Sequence, residues 1–512
     1  MTSYVILTLF LFLSAAFLPA QNELIASINC GASGMYTDEN SIPWTGDADF
    51  MQIGFPKVVP SINVNDNLPL PMRTLRVFPN SDNYLIWKKY CYSIDIGTAG
   101  SDLVRILVRA SFYYGNYDGL SNPPSFELMF DGNYWTKVQT TLDNKPLSYE
   151  TIYVVKAKAT NICIAQREPG MNPFISTLEV CRLRYTMYNA VPANYALFAM
   201  ARGAFGSNKT IRYPDDTYDR IWFEVPSANA VTSDAPSITT GTTYNEPPMA
   251  IMQKAITGSN LSFWVPDPSA FNVYMYLYFS EVTSLSAGET RSFLLYRDKI
   301  LMSAHRISPP YESVLELSYT NLYLSNDTKF YLVPTANSTL PPILNAMETY
   351  SLSQELNEGT DPNDVQGLEM LKKAYSVLRD WTGDPCRPSS YSWIWISCDL
   401  NADPPRVTAL QQGNPNIGKS CSPGSNGKDA TDTEVKIKIR VRRGGIIKIG
   451  VGIGAAIIGC IIVTVFGYCL CSPGKKKKGD QAGAENGANQ EERQNRNAGA
   501  EESHQDRING TT

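Results

Sequence analysis

The sequence predicts a mainly β protein in which β-sandwiches are joined by turns. Among its 512 residues are 29 Tyr, 33 Pro and 35 Gly, a mixture that favours strands and turns over helical bundles. Apolar runs alternate with clusters of Gly, Pro, Asn and Asp through residues 21–190, and residues 195–352 repeat the pattern. Apolar residues make up 43% of the chain, which is enough for large cores.

Four apolar runs predict strands, and one polar stretch predicts a loop. The runs in the first half are Leu103–Phe112 and Thr151–Lys156. In the second half they are Phe271–Phe279 and Arg291–Tyr296. The stretch Ser233–Pro248 is rich in Ser, Thr, Gly and Pro, so we expect a long loop there.

One segment outside the longest apolar runs has helical periodicity. It spans Asp361–Leu378, where Asp361 suits the N-cap and Pro362 suits the first turn. Its apolar residues share one helix face and are Val365, Leu368, Leu371, Tyr375 and Leu378.

Two long uncharged segments determine the predicted topology. Residues 1–20 hold an apolar stretch followed by small residues, typical of a secretory signal peptide; the alternative is a buried first strand or helix. Residues 449–471 begin with 22 uncharged residues, and about 20 suffice to span a bilayer as a helix. Basic residues flank this segment on both sides, so the signal peptide decides the orientation. We therefore expect a single-pass type I protein of the plasma membrane, with residues 21–447 outside.

The predicted extracellular residues suit an oxidising compartment. Seven cysteines precede the membrane segment, an odd number, so one thiol is free or pairs between chains: Cys30, Cys91, Cys163, Cys181, Cys386, Cys398 and Cys421. Four sequons predict N-glycosylation, at Asn208, Asn260, Asn326 and Asn337.

Six motifs follow one another between residues 28 and 348. They are Ile28–Gly31, Leu75–Pro79 with Cys91–Tyr92, Leu107–Gly119, Pro173–Glu179, Ile211–Trp222 and Pro341–Glu348. In content and order they resemble the malectin-like ectodomains of plant receptor-like kinases. The resemblance implies two malectin-like β-sandwiches in tandem, residues 21–190 and residues 191–352.

A further block, Trp381–Cys386 followed by Trp393–Cys398, is similar to the cap that precedes leucine-rich repeats in the same receptors. The resemblance implies that residues 353–410 are a small helical cap remnant, stapled by a Cys386–Cys398 disulfide. In the family, Gly383–Cys386 is also linked to proteolytic release of the malectin-like part. Cys181 departs from the family pattern and either pairs with Cys163 or is a free buried thiol.

The repeats and the kinase of that family are absent from the sequence. No leucine-spaced repeat follows Leu410, and residues 411–448 are expected to form a juxtamembrane stalk. Residues 472–512 hold no kinase motif and are expected to be a disordered cytosolic tail. Cys469 and Cys471 at the membrane boundary are palmitoylation candidates, or else plain interfacial thiols. The small residues of Gly450–Gly454 predict a helix-mediated dimer.

Composition argues against several functional classes. The only histidines are His305 and His504, which argues against zinc hydrolases and histidine-based triads. The net charge of −5 gives no drive toward nucleic acid. We expect no enzymatic activity, no cofactor and no metal site.

One acidic cluster needs separate treatment, because a glycosidase requires two carboxylates. Asp215, Asp216 and Asp219 lie close together in sequence, with Arg212 and Arg220 beside them. This arrangement favours structural ion pairs where the two sandwiches meet.

A tyrosine-rich turn is the candidate ligand site. Tyr113, Tyr114 and Tyr117 surround it, together with Asn116 and Asp118. Aromatic faces stack on sugars, while amides and carboxylates bind hydroxyls. The alternative is a strand core that ends in a tight turn.

These expectations combine into one functional hypothesis. The resemblance implies a kinase-less receptor-like protein that binds a cell-wall carbohydrate or a secreted peptide and acts with a partner receptor kinase. Two alternatives stay open: a truncated isoform or gene model of a Ser/Thr receptor-like kinase, and a wall-to-membrane tether.

Overall fold

The computed structural model describes residues 23–61, 68–79, 88–97, 103–143, 145–266 and 272–410, which are mainly β. No helix in these ranges is both long and apolar enough to cross a membrane. The predicted signal peptide, the stalk, the membrane helix at 449–471 and the tail lie outside them, as do Cys421, Cys469 and Cys471.

The first sandwich is built from the strands of residues 24–183. In chain order these are β1 (Leu24–Asn29), β2 (Met35–Thr37), β3 (Pro43–Gly46), β4 (Phe55–Val58), β5 (Thr74–Val77), β6 (Lys89–Asp95), β7 (Val104–Phe112), β8 (Ser125–Phe130), β9 (Asn133–Gln139), β10 (Leu147–Val155), β11 (Ala159–Gln166), β12 (Phe174–Ile175) and β13 (Thr177–Leu183). Short 3₁₀ turns lie at Asp47–Asp49 and Leu70–Arg73.

The second sandwich is built from the strands of residues 197–352. They are β14 (Leu197–Phe205), β15 (Phe223–Val225), β16 (Ala230–Thr232), β17 (Lys254–Thr257), β18 (Leu261–Phe263), β19 (Val273–Phe279), β20 (Phe293–Arg297), β21 (Ile300–Leu301), β22 (Leu315–Leu322), β23 (Phe330–Pro334), β24 (Ile343–Leu344) and β25 (Ala346–Leu352). A single-turn helix, α1 (Met249–Met252), precedes β17.

One long sheet runs through both sandwiches. Its order is β2-β3-β1-β13-β7-β10-β14-β25-β19-β22, with β15 paired to β14. The halves meet where β10 pairs antiparallel with β14, with Thr151 opposite Phe198 and Ile152 opposite Leu197. The motifs of the sequence indicated two sandwiches but not that they share a sheet.

A second layer of strands covers each half of the long sheet. The sheet β6-β11-β8-β9 covers the first half, and residues such as Val108, Phe112 and Phe126 fill the core between the layers. The sheet β18-β23-β20-β21 covers the second half in the same way, around Phe279 and Phe293. Face-to-face packing of two sheets around an apolar core is the β-sandwich arrangement. Small sheets β12-β5-β4 and β16-β17-β24 complete the two sandwiches.

A third core lies on the opposite face of the long sheet. There Leu107 of β7 and Ile152 of β10 pack with Trp222, which comes from the segment between β14 and β15. Side chains alternate between the two faces of a strand, so β7 is buried on both. This explains why the run Leu103–Phe112 is apolar almost throughout.

The other strand predictions agree with the structure in kind and differ at their ends. Strand β10 begins earlier than the predicted Thr151, and β20 begins two residues after the predicted Arg291. Strand β19 begins at Val273, while Phe271 lies outside the described residues. The predicted loop 233–248 contains no named strand or helix.

The cap contains α2 (Pro362–Ala374), β26 (Ile396–Asp399), β27 (Arg406–Leu410) and 3₁₀ turns at Ser376–Leu378 and Ser389–Tyr391. Asp361 is the N-cap of α2, and its Oδ1 accepts a hydrogen bond of 2.9 Å from the Asn363 amide. The helix ends before the predicted Leu378, because Tyr375 is extended. The following 3₁₀ turn places Leu378 in the cap core with Trp381 and Trp393.

Candidate functional site

The predicted ligand site begins with two buried tyrosines. Tyr113 and Tyr114 directly follow β7, and they are only 1% and 2% exposed. Both belong to the core of the first sandwich, where Tyr114 packs near Phe174. Neither ring therefore offers a face to a ligand, and stacking of a sugar on these two residues is not supported. For these two residues the burial agrees with the alternative that the sequence left open, a strand core that ends in a tight turn.

The polar groups of this turn are largely satisfied within it. The Tyr114 hydroxyl lies 2.6 Å from Asp118 Oδ1, and the Ser121 amide donates to Asn116 Oδ1 over 2.8 Å. Burial, and then the hydrogen bond to Asp118, raises the pKa of Tyr114 to about 12. Asn116 adopts a left-handed conformation with φ of 50°. These bonds define a rigid turn.

Three of the candidate residues reach solvent. Asp118 is exposed, while Asn116 and Tyr117 are half-buried. The Tyr117 ring packs against Tyr114 and Phe174, each with centroids 5.5 Å apart. Ligand binding at this turn stays a prediction, restricted to these three side chains.

The strongest electrostatic feature lies on the other face of the long sheet. We call it the buried ion network, and it consists of Arg109, Glu150, Glu179, Arg202, Arg212, Asp216, Asp219, Arg220 and Glu348. Arg109 on β7 lies 2.9 Å from Glu150, 3.3 Å from Glu179 and 3.0 Å from Asp219. The carboxylates are contributed by three separate parts of the chain, so one guanidinium holds them together.

The network continues from the first sandwich into the second. Glu150 on β10 also lies 2.6 Å from Arg202 on β14, and the Arg202 Nε donates to Glu348 over 2.8 Å. Burial acts to raise the pKa of Glu348, but the guanidiniums of Arg202 and Arg220 outweigh it and hold that pKa below its ordinary value. A continuous row of alternating charges thus crosses the junction between β10 and β14.

The acidic cluster belongs to this network. Asp219 pairs with Arg109 and Arg212, and Asp216 pairs with Arg220 over 2.8 Å. Both aspartates are buried, which confirms the prediction of structural ion pairs where the sandwiches meet. Asp215, the third aspartate of the cluster, is exposed, and its carboxylate lies 3.8 Å from the Lys209 amine.

The other members of the network were missed from sequence. Glu150, Arg202 and Glu348 are the single charged residues of their strands, while Arg109 and Glu179 each share a strand with one other charge. A lone charge at such a position is costly to bury without a partner, and it signals that a partner exists. The identity of the partner depends on strand pairing, which the sequence does not give.

The cap docks on the first sandwich through a buried lysine. The Lys89 amine donates to the carbonyls of Arg387 and Tyr391, over 2.8 and 2.7 Å. Burial lowers the pKa of Lys89 to about 7, although the Asp384 carboxylate opposes this shift. Close by, a Cβ on Gly383 would lie 2.3 Å from the sulfur of Cys91, so the cap backbone rests directly on a disulfide of the sandwich.

The cysteines pair in two disulfides within the described residues. The implied Cys386–Cys398 bond is present. Cys163 bonds to Cys91 rather than to Cys181, because these two face each other on β11 and β6. Cys30 and Cys181 are free and buried.

The four sequon asparagines all belong to the second sandwich and are exposed: Asn208, Asn260, Asn326 and Asn337. Their exposure is what glycosylation requires, and the modification itself stays a prediction.

Comparison with known proteins places residues 28–352 in one family, since the family model of the malectin-like domain matches them. A putative leucine-rich repeat receptor-like serine/threonine-protein kinase of Arabidopsis thaliana is 31% identical over 406 residues, covering 75% of this chain and 44% of the relative. The chain thus spans less than half the length of that relative. An uncharacterized protein of Arabidopsis thaliana is 31% identical over 358 residues, covering 69% of each chain.

Solved structures show the same fold at low sequence identity. The plant receptor-like kinase FER superimposes with a TM-score of 0.53 at 19% identity, covering 64% of this chain and 96% of that chain. The ANX2 ectodomain from Arabidopsis thaliana gives 0.52 at 16% identity, covering 64% and 97%. A complex of the plant peptide RALF23 with FER and LLG2 gives 0.50 at 19% identity, covering 64% and 95%. By fold and by sequence, the chain belongs to the malectin-like domain family.

Proposed function

We propose that the chain is a kinase-less, single-pass receptor-like protein of the plasma membrane. Its malectin-like region binds an extracellular carbohydrate or peptide and acts together with a partner receptor kinase. The observation that carries the proposal is the malectin-like region itself, residues 28–352, which this chain has in common with receptor-like kinases.

The solved neighbours support a peptide ligand and a protein partner. One of them is the plant peptide RALF23 in complex with FER and LLG2. A plant peptide such as RALF23 and a second protein are therefore the first probes to apply to this chain.

The acidic cluster does not offer a glycosidase site. The carboxylates of Asp216 and Asp219 are both buried against guanidiniums. A glycosidase instead places two carboxylates on either side of an accessible sugar bond.

The test uses the full chain, tagged and expressed in plant cells. We expect saturable binding of RALF23 or of cell-wall oligosaccharides, and ligand-dependent co-purification of a receptor kinase. Lack of both would contradict the proposal. Tight wall retention without any ligand-dependent partner would support the tether instead.

Full-length transcript sequencing addresses the remaining alternative. A message that encodes leucine-rich repeats and a kinase beyond the codons for Leu410–Cys421 would make the chain a form of a receptor kinase. A message that matches this sequence alone supports the proposal.

A further inference from the structure

Among the strongly exposed tyrosines outside the predicted ligand turn, two lie in segments that touch each other. Tyr185 is 80% exposed in the turn that follows β13, and Tyr244 is 63% exposed in the loop that precedes α1. Large aromatic side chains are usually at least partly buried, and two in adjoining segments mark a surface for contact with another molecule.

The two segments touch each other at two points. The Tyr188 amide donates to Asn245 Oδ1 over 2.7 Å, and Arg184 Nη1 donates to Glu246 Oε1 over 2.9 Å. Tyr185 is next to Arg184 and three residues before Tyr188. Tyr244 is next to Asn245 and two residues before Glu246. Both tyrosines therefore belong to the two segments that the Arg184–Glu246 pair joins.

The backbone beneath Tyr244 is anchored in the buried ion network. Arg220 donates to the carbonyls of Asn245 and Glu246, over 2.6 Å in each case. The Asn245 side-chain amide also donates to Glu316 over 2.8 Å. Such anchoring fixes the loop before any ligand arrives, which reduces the entropic cost of binding.

The polar groups of Arg184 and Glu246 are paired but not saturated. Glu246 accepts hydrogen bonds of 2.9 Å from Arg184 and from the Tyr218 hydroxyl, one on each oxygen. Each carboxylate oxygen can accept a second bond, and a guanidinium carries five N–H groups. The Arg184 side chain is 62% exposed and that of Glu246 is 16% exposed, so a ligand can reach both.

We propose that Tyr185, Tyr244, Arg184 and Glu246 form a binding site for a neutral oligosaccharide. The guanidinium and the carboxylate neutralise each other, so a charged ligand would have to compete with an existing ion pair. A polyhydroxylated neutral ligand can instead use the remaining acceptor and donor positions without breaking that pair. The tyrosine rings supply apolar faces for the C–H faces of sugar rings.

This inference rests on the proposed function, because it assigns a place and a chemical class to the ligand. It moves the site from the turn after β7 to the loops beside the ion network. Tyrosine and arginine are also enriched in protein interfaces, so contact with a protein is the competing outcome of the test.

The experiment measures affinity of the purified full chain for hexasaccharides by titration calorimetry. The neutral probes are cellohexaose, xylohexaose and mannohexaose, and the charged probe is hexagalacturonate. We expect binding of a neutral probe to be stronger than that of hexagalacturonate. Tyr185→Ala and Tyr244→Ala should each weaken it by roughly tenfold, while Tyr185→Phe keeps the affinity within about twofold.

The matched control is Trp264→Ala, which removes an aromatic side chain that is equally exposed but follows β18 in another sheet. We expect it to leave the affinity unchanged. All four variants change exposed positions, so unaltered circular dichroism and melting temperature should accompany the affinity measurements.

Several results would overturn the inference and leave the proposed function standing. One is that the wild type and both alanine variants bind a neutral probe with equal affinity. Another is that the chain binds hexagalacturonate more tightly than the neutral probes. A third is that the chain binds RALF23 or a receptor kinase but binds no hexasaccharide. If the chain binds no saccharide, no peptide and no kinase, the inference and the proposed function both fail.

Discussion

Glu348 shows how a single carboxylate is stabilised in this interior. It is fully buried and accepts hydrogen bonds from Arg202 Nε, from the Tyr188 hydroxyl at 2.9 Å and from the Tyr278 hydroxyl at 2.8 Å. With Arg220 also 3.7 Å away, two guanidiniums share this carboxylate in addition to their other partners, Glu150 for Arg202 and Asp216 for Arg220. Removing its charge would leave each of them with one counter-charge fewer.

We therefore expect Glu348→Gln to lower the free energy of unfolding by about 3–5 kcal/mol, the usual cost of breaking a buried ion pair. The measurement is urea denaturation at pH 7. Glu358→Gln is the control, because Glu358 pairs with Lys156 through side chains that are 50% and 39% exposed. That change should cost less than about 1 kcal/mol. Equal losses in the two variants would contradict this account of the network.

Lys89 makes a second prediction at the residue scale, concerning pH. Its pKa is about 7 in the folded chain, against the ordinary lysine value of 10.5 that applies once the chain is unfolded. Between these values the folded chain binds fewer protons at this site, so its stability rises with pH there and is flat below about 7. From pH 7.5 to 9.5 the wild type should gain about 2 kcal/mol of unfolding free energy relative to Lys89→Met.

The control for this measurement is Lys156→Met, which removes an exposed amine. Its stability difference from wild type should stay constant over the same pH range. A constant difference for Lys89→Met would show that the amine is not buried by the docked cap.

At the scale of elements, the cap depends on two glycines with opposite roles. Gly383 has a φ of +72°, and a Cβ there would meet the sulfur atoms of Cys91 and Cys163 at 2.3 and 3.1 Å. Gly367 lies inside α2, and a Cβ there would meet nothing within 4 Å. The same substitution should therefore have opposite effects at the two sites.

We expect Gly383→Ala to weaken cap docking by about 2–4 kcal/mol, through backbone strain and overpacking. Gly367→Ala should stabilise α2 by about 0.5–1 kcal/mol. Hydrogen exchange at the Cys91 amide, which donates to the Thr382 hydroxyl over 3.0 Å, reports docking directly. Unchanged protection of that amide in Gly383→Ala would contradict the prediction.

The sequence predicts elements better than it predicts how they pair. The apolar run of β7 and the N-cap of α2 are local features, so their positions could be predicted within a few residues. The Cys91–Cys163 bond and the Glu150–Arg202 pair arise from strand register between distant parts of the chain, which no local pattern encodes. The exposure of Tyr185 and Tyr244 was missed for the same reason, since only the folded loops show which tyrosines remain at the surface.

At the scale of the whole molecule, the question is how two sandwiches behave as one body. Strands β10 and β14 pair through only two residue pairs, so backbone hydrogen bonds alone make a short joint. Glu150 lies beside it and binds Arg109 of the first sandwich at 2.9 Å and Arg202 of the second at 2.6 Å. The coupling between the halves therefore depends strongly on this carboxylate.

Calorimetry of the full chain tests that dependence. We expect the wild type to unfold its two sandwiches in a single transition, and Glu150→Gln to separate them into two, because both guanidiniums lose their shared partner. Glu281→Gln is the matched control: Glu281 forms a buried pair with Arg291 at 2.8 Å, entirely within the second sandwich. This control should lower the transition temperature without dividing the transition, since the joint stays intact. Two transitions in the wild type would mean that the sandwiches unfold independently even with Glu150 in place. One undivided transition in both variants would mean that they are coupled by the shared sheet and its apolar cores rather than by Glu150.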